Sequence, residues 1–287
     1  MPSRLNPAAE IHFPSGNLKK PNLDLTTHLG IGAHQDDLEI IAIHGILSAY
    51  DHPDKHFTGV IVTDGRGAPR SGPYSNISDD DLWEIRREEQ KKAANLGKYH
   101  AQLLLNHSSN VVKSTDRKTV IDDLKHIINA TQPEVIYTHN LLDKHDTHVA
   151  VTLCVIQALR EMGLPLNLKM VYGVEAWRSL DWLVDEDKIS LDASSHCDLQ
   201  IELLSVFESQ IIGGKRYDLA TIGRRQANAT FNQSHNVDQS THLVHAMDLT
   251  PIVRHPEIDI EQFVSQYINN LADDAHDRVN RLRKDSR

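Results

Sequence analysis

Cysteine is nearly absent. Cys154 and Cys197 are the only two in 287 residues, which excludes a disulfide framework and points to a reducing compartment. Long apolar runs are missing as well. None approaches the ~20 residues that span a bilayer, and the first residues lack the apolar core of a secretory signal. Basic charge is in deficit: 30 Lys and Arg stand against 40 Asp and Glu, a formal net charge of -10. A chain so balanced has no general attraction for nucleic acid or an anionic membrane. These deficits describe a cytoplasmic protein with no nucleic-acid partner and no membrane partner. What remains is ordinary for a folded chain, with 39% hydrophobic and 24% charged residues, and this excludes wholesale disorder.

The chain alternates between apolar runs and amphipathic stretches. Residues 1–26 carry Pro and Asn without clean periodicity and read as an arm. Strands are expected at His28–His34, Phe57–Thr63, Ala101–Leu105, Val135–Thr138 and Met170–Val174. Between them the 3.6-residue period predicts helices from Leu38, over Asp79–Gly97 with Ser78 or Asp79 as cap, over Arg117–Thr131 and over Thr147–Met162. Strand and helix in alternation imply βαβ units and a mostly parallel sheet with helices on both faces, a Rossmann-like three-layer α/β/α arrangement. Residues 27–176 would form this core within a single α/β domain spanning 1–287. Residues 177–287 are less regular. Ile189–Ala193 reads as one arm of a hairpin, Asp198–Ile211 and Tyr217–Phe231 as helices, and Ile258 onward as a helix that could pack on its own body or on another subunit. Homo-oligomerisation therefore stays open.

Two polar clusters carry the chemistry. The first follows the first strand of the core: Gly32-Ala33-His34-Gln35-Asp36-Asp37. It lacks the glycines of a dinucleotide-binding turn and sets negative charge where phosphate would sit, so nucleotide binding here is disfavoured. Taken alone, Asp36 or Asp37 is equally well read as a helix cap. The second is Asp143-Lys144-His145-Asp146-Thr147-His148, with two histidines three apart at a helix start and hence on one face. Both clusters sit at carboxyl ends of expected parallel strands, the edge where open α/β sheets bind ligands. His34, Asp37 and His148 together would make a two-His, one-carboxylate metal set with an open position. That set suits zinc, and iron(II) in principle. Asp36 then remains as a base, and His145 for an acid or oxyanion role.

These stretches resemble the PIG-L/LmbE-like family of zinc-dependent N-deacetylases, which carry A-H-P-D-D-E and H-x-D-H motifs. Here they read A-H-Q-D-D-L-E and H-D-T-H. Leu82–Glu89 followed by Ala93–Gly97 resembles the family's R-x-x-E…A-A-x-x-L-G helix, and Phe207-Glu208-Ser209-Gln210 its late Y-x-S-Q element. The resemblance runs from about Leu29 to about Gln210. It implies zinc held by His34, Asp37 and His148, Asp36 as general base, His145 as the group that protonates or steadies the reacting centre, and Arg86 facing substrate. It also implies removal of an acetyl group from an N-acetylated amino sugar or small conjugate. Alternatives are a zinc amidase acting on a non-sugar amide, and a non-catalytic sugar- or nucleotide-binding α/β protein.

The chain departs from the family pattern at two places near the site. Arg66 stands where many members have an acidic residue, and is expected to face the ligand with reversed charge. Thr147 replaces an Asp that helps orient the catalytic histidine, a task that could pass to Asp143 or Asp146 or go undone. The Gly- and Pro-rich loop from Arg66 to Asn76 is expected to wall the pocket, with Arg66, Arg70 and Tyr74 recognising a negative group or a sugar ring.

Overall fold

A computed structural model of the chain describes residues 5–14 and 22–284. Its eight strands form one sheet in the order β1-β4-β3-β2-β5-β6-β8-β7. They are β1 (Glu10–His12), β2 (His28–Gly32), β3 (Phe57–Thr63), β4 (Ala101–His107), β5 (Val135–His139), β6 (Met170–Val174), β7 (Ile189–Asp192) and β8 (Leu243–Asp248). The central five, β4-β3-β2-β5-β6, are parallel, while β1, β8 and β7 join antiparallel at the edges. The mostly parallel three-layer fold is therefore as expected.

Three expectations about strands need correction. The arm is not wholly irregular, since Glu10–His12 pairs with Gln102–Leu104 and covers that edge of the sheet. Ile189–Asp192 is not one arm of a hairpin: its partner is β8, which begins more than fifty residues later. And β8 itself was not expected.

Helices cover both faces. α5 (Lys118–Thr131), α6 (Asp146–Met162) and α10 (Thr250–Arg254) pack Leu124, Val151, Val155 and Ile252 on Leu29 and Ile31 of β2. On the other face, α1 (Asp37–Ile41), α2 (Ile43–Ala49), α3 (Asp79–Leu96) and α7 (Cys197–Ser205) bring Leu38, Ile46, Ala93 and Leu203 against Phe57 and Ile61. The period-two alternation of the strands divides the apolar residues between two cores. α3 begins where its cap is expected. The Ser78 hydroxyl accepts from the Asp81 amide, and the Asp81 carboxylate accepts from the Ser78 amide, a reciprocal capping box that satisfies two otherwise orphaned donors. The stretch Asp198–Ile211 divides in two, α7 and α8 (Glu208–Ile211), with a break at Val206 and Phe207. α4 (Ser109–Lys113), α9 (Tyr217–Phe231) and α11 (Ile260–Lys284) complete the helices.

The strand order fixes where a ligand goes. From β2 the chain crosses to β3 on one side, and β5 returns to pair with β2 on the other. The loops that leave β2 and β5 therefore diverge across the crevice of a topological switch point. Those loops carry the two polar clusters.

Candidate metal centre and active site

His34, Asp37 and His148 meet in this crevice. His148 Nε2 lies 3.2 Å from His34 Nδ1 and 3.5 Å from Asp37 Oδ1, and His34 Nδ1 lies 3.4 Å from Asp37 Oδ2. A tetrahedral metal bonded at about 2.0–2.1 Å separates its ligand atoms by about 3.3 Å. The two histidine nitrogens are thus spaced as such an ion requires, and each has one of the two Asp37 oxygens at a similar distance. Two imidazole nitrogens facing each other at 3.2 Å also need a positive charge or a proton between their lone pairs. The donor set fits a divalent metal, which His34, Asp37 and His148 would hold beside the cavity.

The candidate ligands are held from behind. His148 Nδ1 donates to Asp143 Oδ2 at 3.1 Å, which leaves Nε2 as the free lone pair. Such a carboxylate fixes the ring's tautomer and orientation. Asp143, one of the two candidates for orienting the catalytic histidine, bonds the ring of His148 and not that of His145. Asp146 is exposed. Asp143 also accepts from the amides of Ala176 (2.9 Å) and Trp177 (3.4 Å), so one buried carboxylate ties the ligand to the wall of the cavity. Burial is the largest influence and opposes its charge, but the His148 hydrogen bond and charge, the Ala176 amide and His139 together outweigh it and bring Asp143 to about 2. For Asp37, too, burial raises the pKa, yet His148 and His139 overcome it and hold the carboxyl well below its ordinary value.

His139 is the member of the centre that the sequence reading missed. It ends β5, is fully buried and stacks on His148 with ring centroids 3.8 Å apart. Its Nε2 lies 3.1 Å from Asp37 Oδ2 and 2.9 Å from the Ala33 amide. Asp37, His139 and His148 form a second compact set of potential ligand atoms beside that of His34, His145 and His148. The only signal in the sequence was its place at the carboxyl end of a parallel strand.

Asp36 is not a helix cap. It occupies the N-cap position of α1 with φ 95°, a left-handed conformation rare outside glycine, and its side chain makes no capping bond. Strain of this kind costs about 1–3 kcal/mol and persists where the surroundings impose it. The turn is imposed from several sides. The Asp36 amide donates to Gln90 Oε1, Asp37 Oδ2 accepts from the His34 amide at 2.6 Å, and the buried Arg86 donates to the Gln35 carbonyl at 2.7 Å. Gly65 closes the other side at φ 71°, where a Cβ would collide with the Gln35 side chain. The result turns the Asp36 carboxylate toward the cavity, 3.7 Å from the Arg86 guanidinium. Burial pushes its pKa well above the ordinary value, and Arg86 pulls against that rise.

His145 Nδ1 accepts from the Thr147 amide at 3.2 Å. The histidine is the N-cap of α6, and its neutral ring carries the proton on Nε2. Burial and the neighbouring His148 keep its pKa below the ordinary value.

The cavity above these residues measures about 630 Å³. Arg86 lines it, with a guanidinium committed to Gln35, Gly65 and the vicinity of Asp36. Arg66 does not line it, contrary to expectation. Its charge is taken up by Asp64 at 3.1 Å and Asp80 at 3.0 Å, and its guanidinium lies over the Trp83 ring. Arg70 likewise braces the loop, donating to the carbonyls of Arg66 and Ile77. The loop still walls the cavity, but through Gly67, Ala68 and Pro69. The far wall is Trp177, Lys215, Tyr217 and Arg224. The late motif closes the base: Glu89 of α3 accepts from the Ser209 amide and hydroxyl at 2.7 and 2.6 Å, which sets the neighbouring Gln210 in the lining.

Residues 29–159 match the model of the PIG-L family, described as GlcNAc-PI de-N-acetylase, and over that stretch the resemblance read from the motifs holds. No protein of curated function matches the sequence. Among solved structures, the N,N'-diacetylchitobiose deacetylase of Pyrococcus horikoshii is similar at 17% identity and a TM-score of 0.63, with 86% of this chain and 91% of that one covered. The 4-carboxy-2-hydroxymuconate hydratase GalB of Pseudomonas putida KT2440 follows at 19% and 0.61, covering 79% and 97%. The A40926 pseudoaglycone deacetylase Dbv21 is similar at 15% and 0.58, covering 78% and 97%. At these identities the likeness is one of fold.

Proposed function

We propose that the protein is a metal-dependent N-deacetylase that hydrolyses the acetamide of an N-acetylated amino sugar or small amino-sugar conjugate. One observation carries this reading: His34, Asp37 and His148 bring their ligand atoms together beside a strained, non-capping Asp36 and an imidazole donor, His145, at the floor of one cavity. The matched family and two of the similar structures are de-N-acetylases or deacetylases by name, which supports amide hydrolysis. The hydratase shares the fold, so the fold alone does not select the reaction.

His34, Asp37 and His148 would hold the metal, which supplies Lewis acidity, making water a nucleophile at neutral pH and polarising the acetamide carbonyl. Asp36 takes the proton from the attacking water. As the carbonyl oxygen gains charge, His145 donates to it from Nε2, because its Nδ1 already accepts from Thr147. The C–N bond then breaks, and Asp36 returns its proton to the leaving nitrogen. The products are acetate and a free amine. Of the two proton donors open in the sequence, the Thr147 bond favours Asp36.

The cavity has the volume of a small-molecule site and room beyond the acetamide. Trp177 offers a ring beside His145, with centroids 6.1 Å apart, and Lys144 and Lys215 place their ammonium groups 5.7 and 5.2 Å from its centre. A sugar carrying a further, preferably anionic, group suits this wall.

The test is acetate release from a panel of N-acetylated sugars, with and without a chelator, for the parent, Asp36→Ala and His148→Ala. The parent should release acetate in a chelator-sensitive way. Asp36→Ala should keep its metal and lose turnover by about 10²–10⁴-fold, the scale of a general base, while His148→Ala should lose the metal. Water addition to an unsaturated carboxylate, with no acetate from any N-acetyl compound, would refute deacetylation.

A further inference from the structure

The left-handed conformation of Asp36 depends on one peptide unit, the one that joins Gln35 to Asp36. Its carbonyl accepts from Arg86 at 2.7 Å, and its amide donates to Gln90 Oε1 at 3.2 Å. Arg86 and Gln90 stand four apart on α3 and so share a face. A peptide unit is planar, and holding both of its polar ends fixes its plane. Rotation of that plane would carry Asp36 out of φ 95° toward the conformations an L residue prefers.

Arg86 carries only donors, so its match to a carbonyl is unambiguous. The Gln90 amide can present either an oxygen or a nitrogen, and a chain of buried polar groups decides which. Gln90 Nε2 donates to Glu39 Oε1 at 2.9 Å and approaches Gln102 Oε1 at 3.5 Å. Gln102 is itself oriented, since its Nε2 donates to the Leu103 carbonyl at 3.0 Å. Tyr99 donates its hydroxyl to the same Glu39 Oε1 at 2.7 Å. Glu39, Gln90 and Gln102 are fully buried. β3 makes room for them, as a Cβ on Gly59 would stand 2.5 Å from Gln102 Oε1. Glu39 Oε2 has no hydrogen-bond partner among the described residues. A buried carboxyl group with one oxygen unpaired serves stability poorly, and an apolar side chain of its size would serve it better.

We infer that Glu39 is a positioning residue for Asp36. It presents an acceptor to Gln90, which turns the Gln90 oxygen to the Asp36 amide and locks the peptide plane that aims the carboxylate. Without Glu39 the Gln90 amide is free to reverse, because the Gln102 oxygen at 3.5 Å is too distant to hold it. A nitrogen facing the Asp36 amide then releases the plane. Glu39 serves catalysis only if Asp36 is the base proposed above, so that part of its role rests on that reading; the geometry does not.

One readout therefore needs no substrate. Amide hydrogen exchange of the full chain, followed by NMR, should quicken about tenfold or more at Asp36 in Glu39→Met, with the amides of β2 as slow as in the parent. Glu39→Gln, which can keep an oxygen in the Oε1 place, should protect Asp36 as the parent does. In acetate-release assays, metal-loaded Glu39→Met should lose about 100-fold in kcat, the scale of a misplaced catalytic group, with KM and metal content unchanged, and Glu39→Gln should recover most of it. Gln90→Met should do the same, and adding Glu39→Met to it should cost nothing more, because Glu39 acts through Gln90. That pair of apolar substitutions leaves no half-satisfied partner and decides the matter if Glu39→Met alone does not fold. Parent-like exchange at Asp36 in Glu39→Met, exchange quickened equally in β2, or a further loss in the double variant would each overturn the inference. A parent that releases no acetate would remove the deacetylase reading and leave the exchange rates to decide the positioning.

Discussion

Replacing Asp143 by Asn tests how the metal centre is built, because the substitution changes one atom's hydrogen-bond character and almost no volume. Asp143 Oδ2 accepts from His148 Nδ1, the Ala176 amide and the Trp177 amide, while Oδ1 accepts from the His145 amide at 3.3 Å. Every position around the carboxylate is met by a donor, so the amide nitrogen of Asn must face one. The least costly placement turns it toward the His145 amide and leaves a neutral oxygen for the other three. That loses one bond, opposes two donors at a cost of about 1–3 kcal/mol, and removes the charge that makes His148 Nε2 a strong ligand. Loss of such a supporting carboxylate weakens metal binding about 10–100-fold, which is about 1.4–2.8 kcal/mol. Competition with a chromophoric chelator at pH 7 measures this directly. A dissociation constant within twofold of the parent's would mean that His148 is oriented by something else, and the account of Asp143 would fail.

Trp177→Ala should raise KM several-fold for conjugates that reach past the sugar and leave KM for free N-acetylglucosamine unchanged, as steady-state assays on the two substrates would show; equal effects on both would remove Trp177 from recognition. Arg66→Ala should leave kcat/KM within twofold, since Asp64, Asp80 and Trp83 occupy its guanidinium, and a tenfold loss would return it to the ligand. Glu175 is pushed by burial to about 7, partly offset by its bonds from the Leu180 amide and the Trp182 indole. A carboxyl whose folded pKa is raised stabilises fully below its unfolded pKa and less as pH climbs through the folded one. Denaturant midpoints should therefore show Glu175→Gln gaining about 1–2 kcal/mol over the parent at pH 8 and nothing at pH 4; an equal gain at both would mean ionisation is not the cause.

Much of the fold was legible because local signals and topology agree in the parallel core. β3 and β6 have the expected ends, and α3 starts at its capping box. Legibility fell where an element's identity depends on distant pairing. Ile189–Asp192 reads locally as an isolated strand, and Leu243–Asp248 completes it only after α7, α8 and α9 have been laid down. The edge strand Glu10–His12 has three residues, too few for a period to register.

The site divides along the same line. His34, Asp37, Asp36, His145 and His148 could be grouped from the sequence because each cluster is contiguous, and the structure brings them to one cavity. His139 was invisible to that logic. It meets Asp37 only because β2 and β5 pair in parallel with Ile31 opposite Thr138, so that the next residue of β5 stands beside the turn that follows β2. Arg66 fails for the complementary reason. Its place in the sequence is near the site, but Asp64 and Asp80 draw its charge away, and the second of these comes from α3. A residue's type and spacing thus state what it can do, whereas strand register and competing partners decide whether it is there to do it. Arg86 shows both: it lies seven residues into α3, in a pattern that would suit an ordinary surface arginine, yet the carbonyls of Gln35 and Gly65 hold it under Asp36.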